Sequence, residues 1–303
     1  MPPDQPDDSA ARLQRLREIR AIGIAALHEG PGHLNLWDYL TELKALRLRG
    51  HKIEWREAKI ALLVAMRERA TQVVGSLNTL RALCQESDVP DRFTAFEALV
   101  TRSLGGIRLT NHAFGAQRFC DISHEPVWAR VSAHLDALCA HGYEAFLNSG
   151  TLLGVVRDKR LIDHDDDIDL AVLLKARSSA AAAVEWLALR DRLHRDGLLD
   201  EAAITDPSIL KLLPVEATQI DLFPAWSEQG RLFVYPHTCG ELAVADVLPL
   251  GICEVTGNPV PADPEKMLAL NYGADWRVPD PYFKFPWAQA KERFSDFLCG
   301  LNP

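Results

Sequence analysis

The chain has 303 residues, with 33 basic and 42 acidic side chains and a formal charge of −9. With 48% apolar and 25% charged residues it can bury a sizeable core, which excludes wholesale disorder; at roughly 150 residues per domain its length predicts about two structural units. No apolar run approaches the ~20 residues needed to span a bilayer, and the acidic, Pro-rich start MPPDQPDD is the opposite of a secretory leader, so a cytoplasmic protein is expected.

Residues 1–121 read as a helical domain. Ser9 is the expected N-cap of ARLQRLREIRAIGIAALHEG, which ends at Gly30 with Pro31 behind it. A second helix, NLWDYLTELKALRLRG, stops at Gly50. The apolar stripe of Ile60, Leu63, Val64, Val74 and Leu77 predicts one long third helix from about Glu54 to Cys84. DVPDRFTAFEALVTRSLGG adds a short helix that stops at Gly105–Gly106. None of these gathers catalytic residue types, so an amphipathic bundle that packs or docks is expected.

The texture changes after that. Ser123 and Pro126 open a helix that runs to Gly142. YEAFLNSG, LIDHDDDIDLAVLL, SILKLLP, ATQIDLFPAW and RLFVYP read as strands, with an Ala-rich helix from Ser179 to about Arg195 between them. This alternation predicts an α+β domain over residues 122–303, a mixed sheet with flanking helices. The last 50 or so residues, rich in Pro, Trp and Tyr, read as an ordered wrapping tail. Charge is unevenly divided: residues 1–120 hold 17 basic and 14 acidic groups, leaving 16 and 28 beyond. That acidic part disfavours nucleic acid as a partner. The six cysteines are widely spaced, without a C-x-x-C pair, and suit reduced thiols better than zinc or a disulfide framework.

The informative stretch is NSGTLLGVVRDKRLIDHDDDIDLAV, residues 148–172. It places Asp163, Asp165, Asp166, Asp167 and Asp169 within seven positions, where they repel one another and where strands disfavour them. If the end of this run is extended, Asp167 and Asp169 share one face while Ile168 and Leu170 face the core. Two carboxylates on one face suit a hard cation, Mg2+ with Mn2+ as the alternative. Asp221, between Ile220 and Leu222, is the candidate third ligand. Gly150 and Gly154 bracket Thr151 in what reads as a turn open to a phosphate. Arg157, Lys159 and Arg160 follow to neutralise its charge, and Lys211 in SILKLLP is a further candidate. A calcium loop counted from Asp163 fails, since it would need Gly and Glu where Ile168 and Leu174 stand.

These residues resemble the LicD/fukutin-type phosphotransferases, a branch of the nucleotidyltransferase superfamily with the polymerase-β-like fold. The resemblance covers residues 125–290 or so and rests on SGTLLGVVR, IDHDDDIDLAV, IDLFP and PADPEKMLALNYGADWRVPD. It implies transfer of phosphocholine or a phosphorylated alcohol from a CDP-linked donor to a hydroxyl of a glycan or lipid-linked glycan, releasing CMP. It further implies Mg2+ on Asp167, Asp169 and Asp221, and donor phosphate beside Gly150, Thr151 and Arg157. The hydroxyl proton would go to Asp165, Asp166 or Asp221. Peripheral association with the inner membrane face or with a glycosyltransferase is a further expectation. Nucleotidyl transfer from an NTP and a non-catalytic glycan-binding protein are the competing readings. His164 reads as an ion-paired neighbour of the acids before it reads as a base. His237 and Cys239 lack further metal ligands at suitable spacing. Trp276, Tyr282, Phe283, Phe285 and Trp287 read as packing residues, one of which could stack on a base or sugar.

Overall fold

The structure, a computed structural model, describes residues 6–110, 113–115 and 118–301. The chain divides into two units, Met1–Ala116 with Asp280–Lys284, and Gln117–Pro279 with Phe285–Pro303. The short tail segment counts with the helices for clear reasons: Tyr282 stands edge-on to Phe93 with ring centres 6.0 Å apart and hydrogen-bonds Glu97, and Asp280 pairs with Arg81 at 2.8 Å.

The first unit is built from α1 (Pro6–Glu29), α2 (Leu36–Ala45), α3 (Lys52–Met66), α4 (Ala70–Glu86) and α5 (Pro90–Leu104). The single long helix expected from Glu54 to Cys84 is therefore two. Arg67 and Arg69 take left-handed φ values of 55° and 56°, and the N–H groups of Arg67 and Glu68 close the end of α3 on the carbonyls of Val64 and Leu63. No Gly or Pro marks the break, because apolar periodicity runs through it. Turning there lets Val73, Leu77 and Leu80 of α4 share one core with Ile60, Leu63 and Val64 of α3, which one straight helix would not permit.

A buried acid ties this unit together. Glu57, only 1% exposed, receives Arg20 from α1 at 2.5 Å and Arg92 from α5 at 2.7 and 2.8 Å. Removing one member of such a group leaves uncompensated charge behind. Glu57→Gln, which keeps the volume but strands the two arginines, should cost nearly as much in urea unfolding as Glu57→Ala, about 3–5 kcal/mol; a Gln variant of wild-type stability would mean that packing rather than charge matters there.

The second unit begins with α6 (His124–Ala140), β1 (Ala145–Leu147) and the short α7 (Ser149–Leu153). It continues through β2 (Asp167–Leu173), α8 (Ser179–Arg195), β3 (Leu210–Val215), β4 (Thr218–Glu228), β5 (Arg231–Val234) and β6 (Thr238–Ala243). A small ribbon of β7 (Gly251–Ile252) and β8 (Pro259–Val260) precedes α9 (Pro264–Tyr272), α10 (Trp287–Arg293) and α11 (Ser295–Leu301). The main sheet runs β1-β2-β4-β5-β6, with β3 also on β4. It is mixed: β2 and β4 are parallel, as the intervening helix α8 allows, and the other pairs are antiparallel. The fold is thus α+β with a helical unit before it, and among the described residues no helix is long and apolar enough to cross a membrane.

Strand register sorts the side chains into rows. Leu147, Leu170, Leu222 and Leu210 align across four strands, and all are fully buried. One residue away, Asp169, Asp221 and Lys211 align across three. Because neighbours on a strand face opposite ways, burying the leucine row turns the charged row to the other face.

Candidate metal and phosphate site

Parallel register sets Asp169 directly beside Asp221, and Asp167 lies two residues along on the same face. Asp167, Asp169 and Asp221 each offer a carboxylate oxygen within 4.8 Å of the others, and Asp165, Asp166 and Asp167 form a second such group. Asp221 is buried. Burial drives the Asp169 pKa well above its ordinary value, with the charges of Asp167, Asp221 and Asp165 adding to the rise and the Gly150 N–H opposing it. Oxygen-only donors that cannot all stay ionised without a counter-charge fit a hard divalent cation.

Helix α7 clasps this strand. The N–H of Gly150 donates to Asp169 Oδ2 at 2.9 Å, and the Asp169 N–H donates back to Thr151 Oγ1 at 2.9 Å. A Cβ on Gly150 would lie 2.8 Å from Asp165 Oδ2, so any larger residue there would push that carboxylate aside. Residue 154 has a different constraint: a Cβ there would meet the Arg160 carbonyl oxygen at 2.6 Å, so Gly154 lets the chain return over the helix. The expected open turn is in fact helical, α7 followed by a π-helical turn over Gly154–Asp158. The acidic loop is pinned from outside by the N–H groups of Phe119 and Cys120, which donate to the carbonyls of Asp165 and Asp163.

The basic candidates separate. Lys211 Nζ binds Asp221 Oδ2 at 2.5 Å, placing an ammonium at the edge of the acidic group. Arg157 is forked onto Asp158 at 2.8 and 2.7 Å, yet its charge still acts on Tyr272 and His164. Arg160 turns outward to Asp163. The His164 pKa is lowered, first by burial and then by Arg157 and Arg118, which favours the neutral ring.

Tyr272, at the end of α9, was not among the expected site residues. Burial raises its pKa well above the ordinary value, followed by the charges of Asp169, Asp165 and Asp167, so a neutral phenol borders the carboxylates. His237 packs beside it with ring centres 5.8 Å apart, and Phe285 lies 4.3 Å from His237 on its other contact. Burial pushes His237 down to about 3, so it is a neutral ring there. Tyr272-Gly273 in the tail block of the resemblance was the available signal. Cys239 is directed instead at the Arg293 carbonyl, and Trp276 is buried with Arg277 over its ring.

Residues 142–263 match the model of the LicD/FKTN/FKRP nucleotidyltransferase domain. The chain carries a LicD-family domain. The matched segment contains β1, α7, the acidic loop and all the strands of the main sheet, hence every carboxylate described above. LicD proteins are generally transferases and often depend on a metal, and the family points to phosphotransfer or glycan modification. No curated protein compared with the chain matches it.

Asp167→Asn and Asp169→Asn each keep volume while removing one charge. Without metal, each variant should melt at the wild-type temperature or above, because crowding is relieved. Adding Mg2+ or Mn2+ should raise the wild-type melting temperature and leave the variants unmoved. A variant that folds and retains the full metal-induced shift removes that residue from the ligand set.

Proposed function

We propose that the LicD domain is a metal-dependent phosphotransferase that moves a phosphorylated alcohol or phosphocholine from a CDP-linked donor to a glycan hydroxyl and releases CMP. The observation that carries this reading is the set of Asp167, Asp169 and Asp221 oxygens within 4.8 Å of one another, in a domain of a transferase family. These three residues would hold Mg2+ or Mn2+, and such an ion supplies neutralisation of phosphate charge and orientation of phosphate oxygens. The chain's own groups do the rest. Lys211 and Arg157 bring positive charge to the rim, and in this reading each exchanges its present carboxylate partner for donor phosphate. Gly150 and Thr151 fix the strand carboxylates; Gly154 keeps the helix and its return loop in register.

In the reaction, the acceptor hydroxyl oxygen forms a bond to the phosphorus remote from cytidine. The bond from that phosphorus to the bridging oxygen breaks, and the bridging oxygen leaves as part of CMP. The hydroxyl proton passes to a carboxylate. Asp221 would be a metal ligand in this reading, which leaves Asp165 and Asp166 in the adjoining loop as the better-placed bases. Asp165 stands over Gly150 and beside Asp169, on the side of the helix clasp.

A second reading has specific support, since the matched family domain is described as a nucleotidyltransferase. Incubation with CDP-choline, CDP-glycerol or CDP-ribitol and a glycan acceptor separates the two. CMP release that requires Mg2+ or Mn2+ and falls at least ~100-fold in Asp169→Asn is expected here. Pyrophosphate released from an NTP, with no CMP from any CDP donor, would transfer the assignment to nucleotidyl transfer.

A further inference from the structure

The helical unit carries a second charged feature, opposite in sign. Residues 44–69 contain eight basic side chains and three acidic ones. Two of the acids are directed elsewhere: Glu57 lies buried against Arg20 and Arg92, and Glu54 is 3.9 Å from Arg92 and 3.9 Å from His51. Five cations, four from this stretch and one from the tail segment, converge. The guanidinium groups of Arg47 and Arg56 stand 5.0 and 5.6 Å from the centre of the Trp55 ring. Lys59 follows Arg56 by three residues on α3 and so shares its face. Lys284 of the same unit lies across α4, its Nζ 3.3 Å from where a Cβ on Gly75 would be.

Lys59 links them. Its pKa is lowered by burial and then by Arg56, Arg47, Arg69 and Lys284, every one a cation. Among the described residues none of these five groups is in an ion pair. Five like charges gathered without counter-ions cost folding energy, and an external anion relieves that cost. The border of the cluster is apolar. Arg69 sits 4.7 Å above the ring of Trp37, which is 39% exposed, and Leu34, just before α2, is 49% exposed.

We propose that this face of the helical unit binds the surface of an anionic phospholipid bilayer. Arg47, Arg56, Lys59, Arg69 and Lys284 take lipid phosphates, and Trp37 and Leu34 enter the headgroup layer. Phosphate of a nucleic acid would satisfy the same cations, but it offers nothing to an exposed leucine three residues before an exposed tryptophan; a lipid interface accepts both. The proposal stands apart from the phosphotransfer reading and survives or fails without it.

The test is co-sedimentation of the full chain with phosphatidylcholine vesicles, with and without phosphatidylglycerol. Binding should require the anionic lipid and fade as salt rises well above physiological strength. At roughly five-fold per neutralised cation, Arg47→Gln/Arg56→Gln/Lys59→Gln should lower partitioning about 100-fold, and Trp37→Ala should lower it several-fold. Circular dichroism checks that the variants fold. If the triple variant does not, Arg69→Gln/Lys284→Gln takes its place, with about a 25-fold loss expected. Equal binding to neutral and anionic vesicles, no binding to either, or wild-type binding by a folded variant would overturn the proposal. So would a stronger, equally variant-sensitive affinity for an oligonucleotide.

Discussion

Three carboxylates with oxygens within 4.8 Å of one another, one of them buried, repel one another and need a counter-charge or a proton. The sheet gives them no room to separate. Parallel pairing of β2 with β4 fixes Asp169 against Asp221, and the leucine row on the opposite face forbids a one-residue slip, which would bury the acids and expose the core. Repulsion at this point is therefore built in by burial elsewhere, and the protein offsets it with a proton, a neighbouring lysine or a metal.

The surroundings follow from that constraint. Lys211 comes to Asp221 because β3 pairs antiparallel with β4 at that register. The N-terminus of α7 meets Asp169 through the Gly150 N–H, where backbone donors favour negative charge. Glycine at 150 leaves the Asp165 and Asp169 carboxylates the space a side chain would take. Tyr272 and His237, held neutral, line the flank of the site without adding to its charge.

Much of this is legible in the sequence. The Asp-Ile-Asp alternation, the lone Asp221 between apolar neighbours and the glycine spacing follow from period-two geometry and from the cost of crowding like charges. The class of the fold follows from the alternation of strands with helices, and the family of the domain from the resemblance carried by SGTLLGVVR and IDHDDDIDLAV. Other features depend on contacts between distant segments. The break at Arg67–Arg69 carries no Gly or Pro, and only the packing of α4 back on α3 requires it. The helical character of α7 looked like a glycine turn, because nothing local announces that Thr151 and Gly150 bond to a strand some eighteen residues away. Tyr272 reaches the site by the path of α9, and the bonding of tail residues 280–282 to Arg81 and Glu97 is equally non-local.

The central claim is that the carboxylate group is poised for a divalent cation. Its direct test is calorimetric titration of the metal-free protein with Mn2+ at a series of pH values from the ordinary carboxylate range upward. Asp169 holds its proton to a higher pH when folded than when unfolded, so metal-free stability falls as pH rises through that raised pKa. Metal competes with the same proton. The account predicts tighter binding at higher pH, proton release into the buffer on binding, and loss of both in Asp169→Asn. No Mn2+ binding at millimolar metal, or binding with the same affinity and no proton release across the whole pH series, would contradict it.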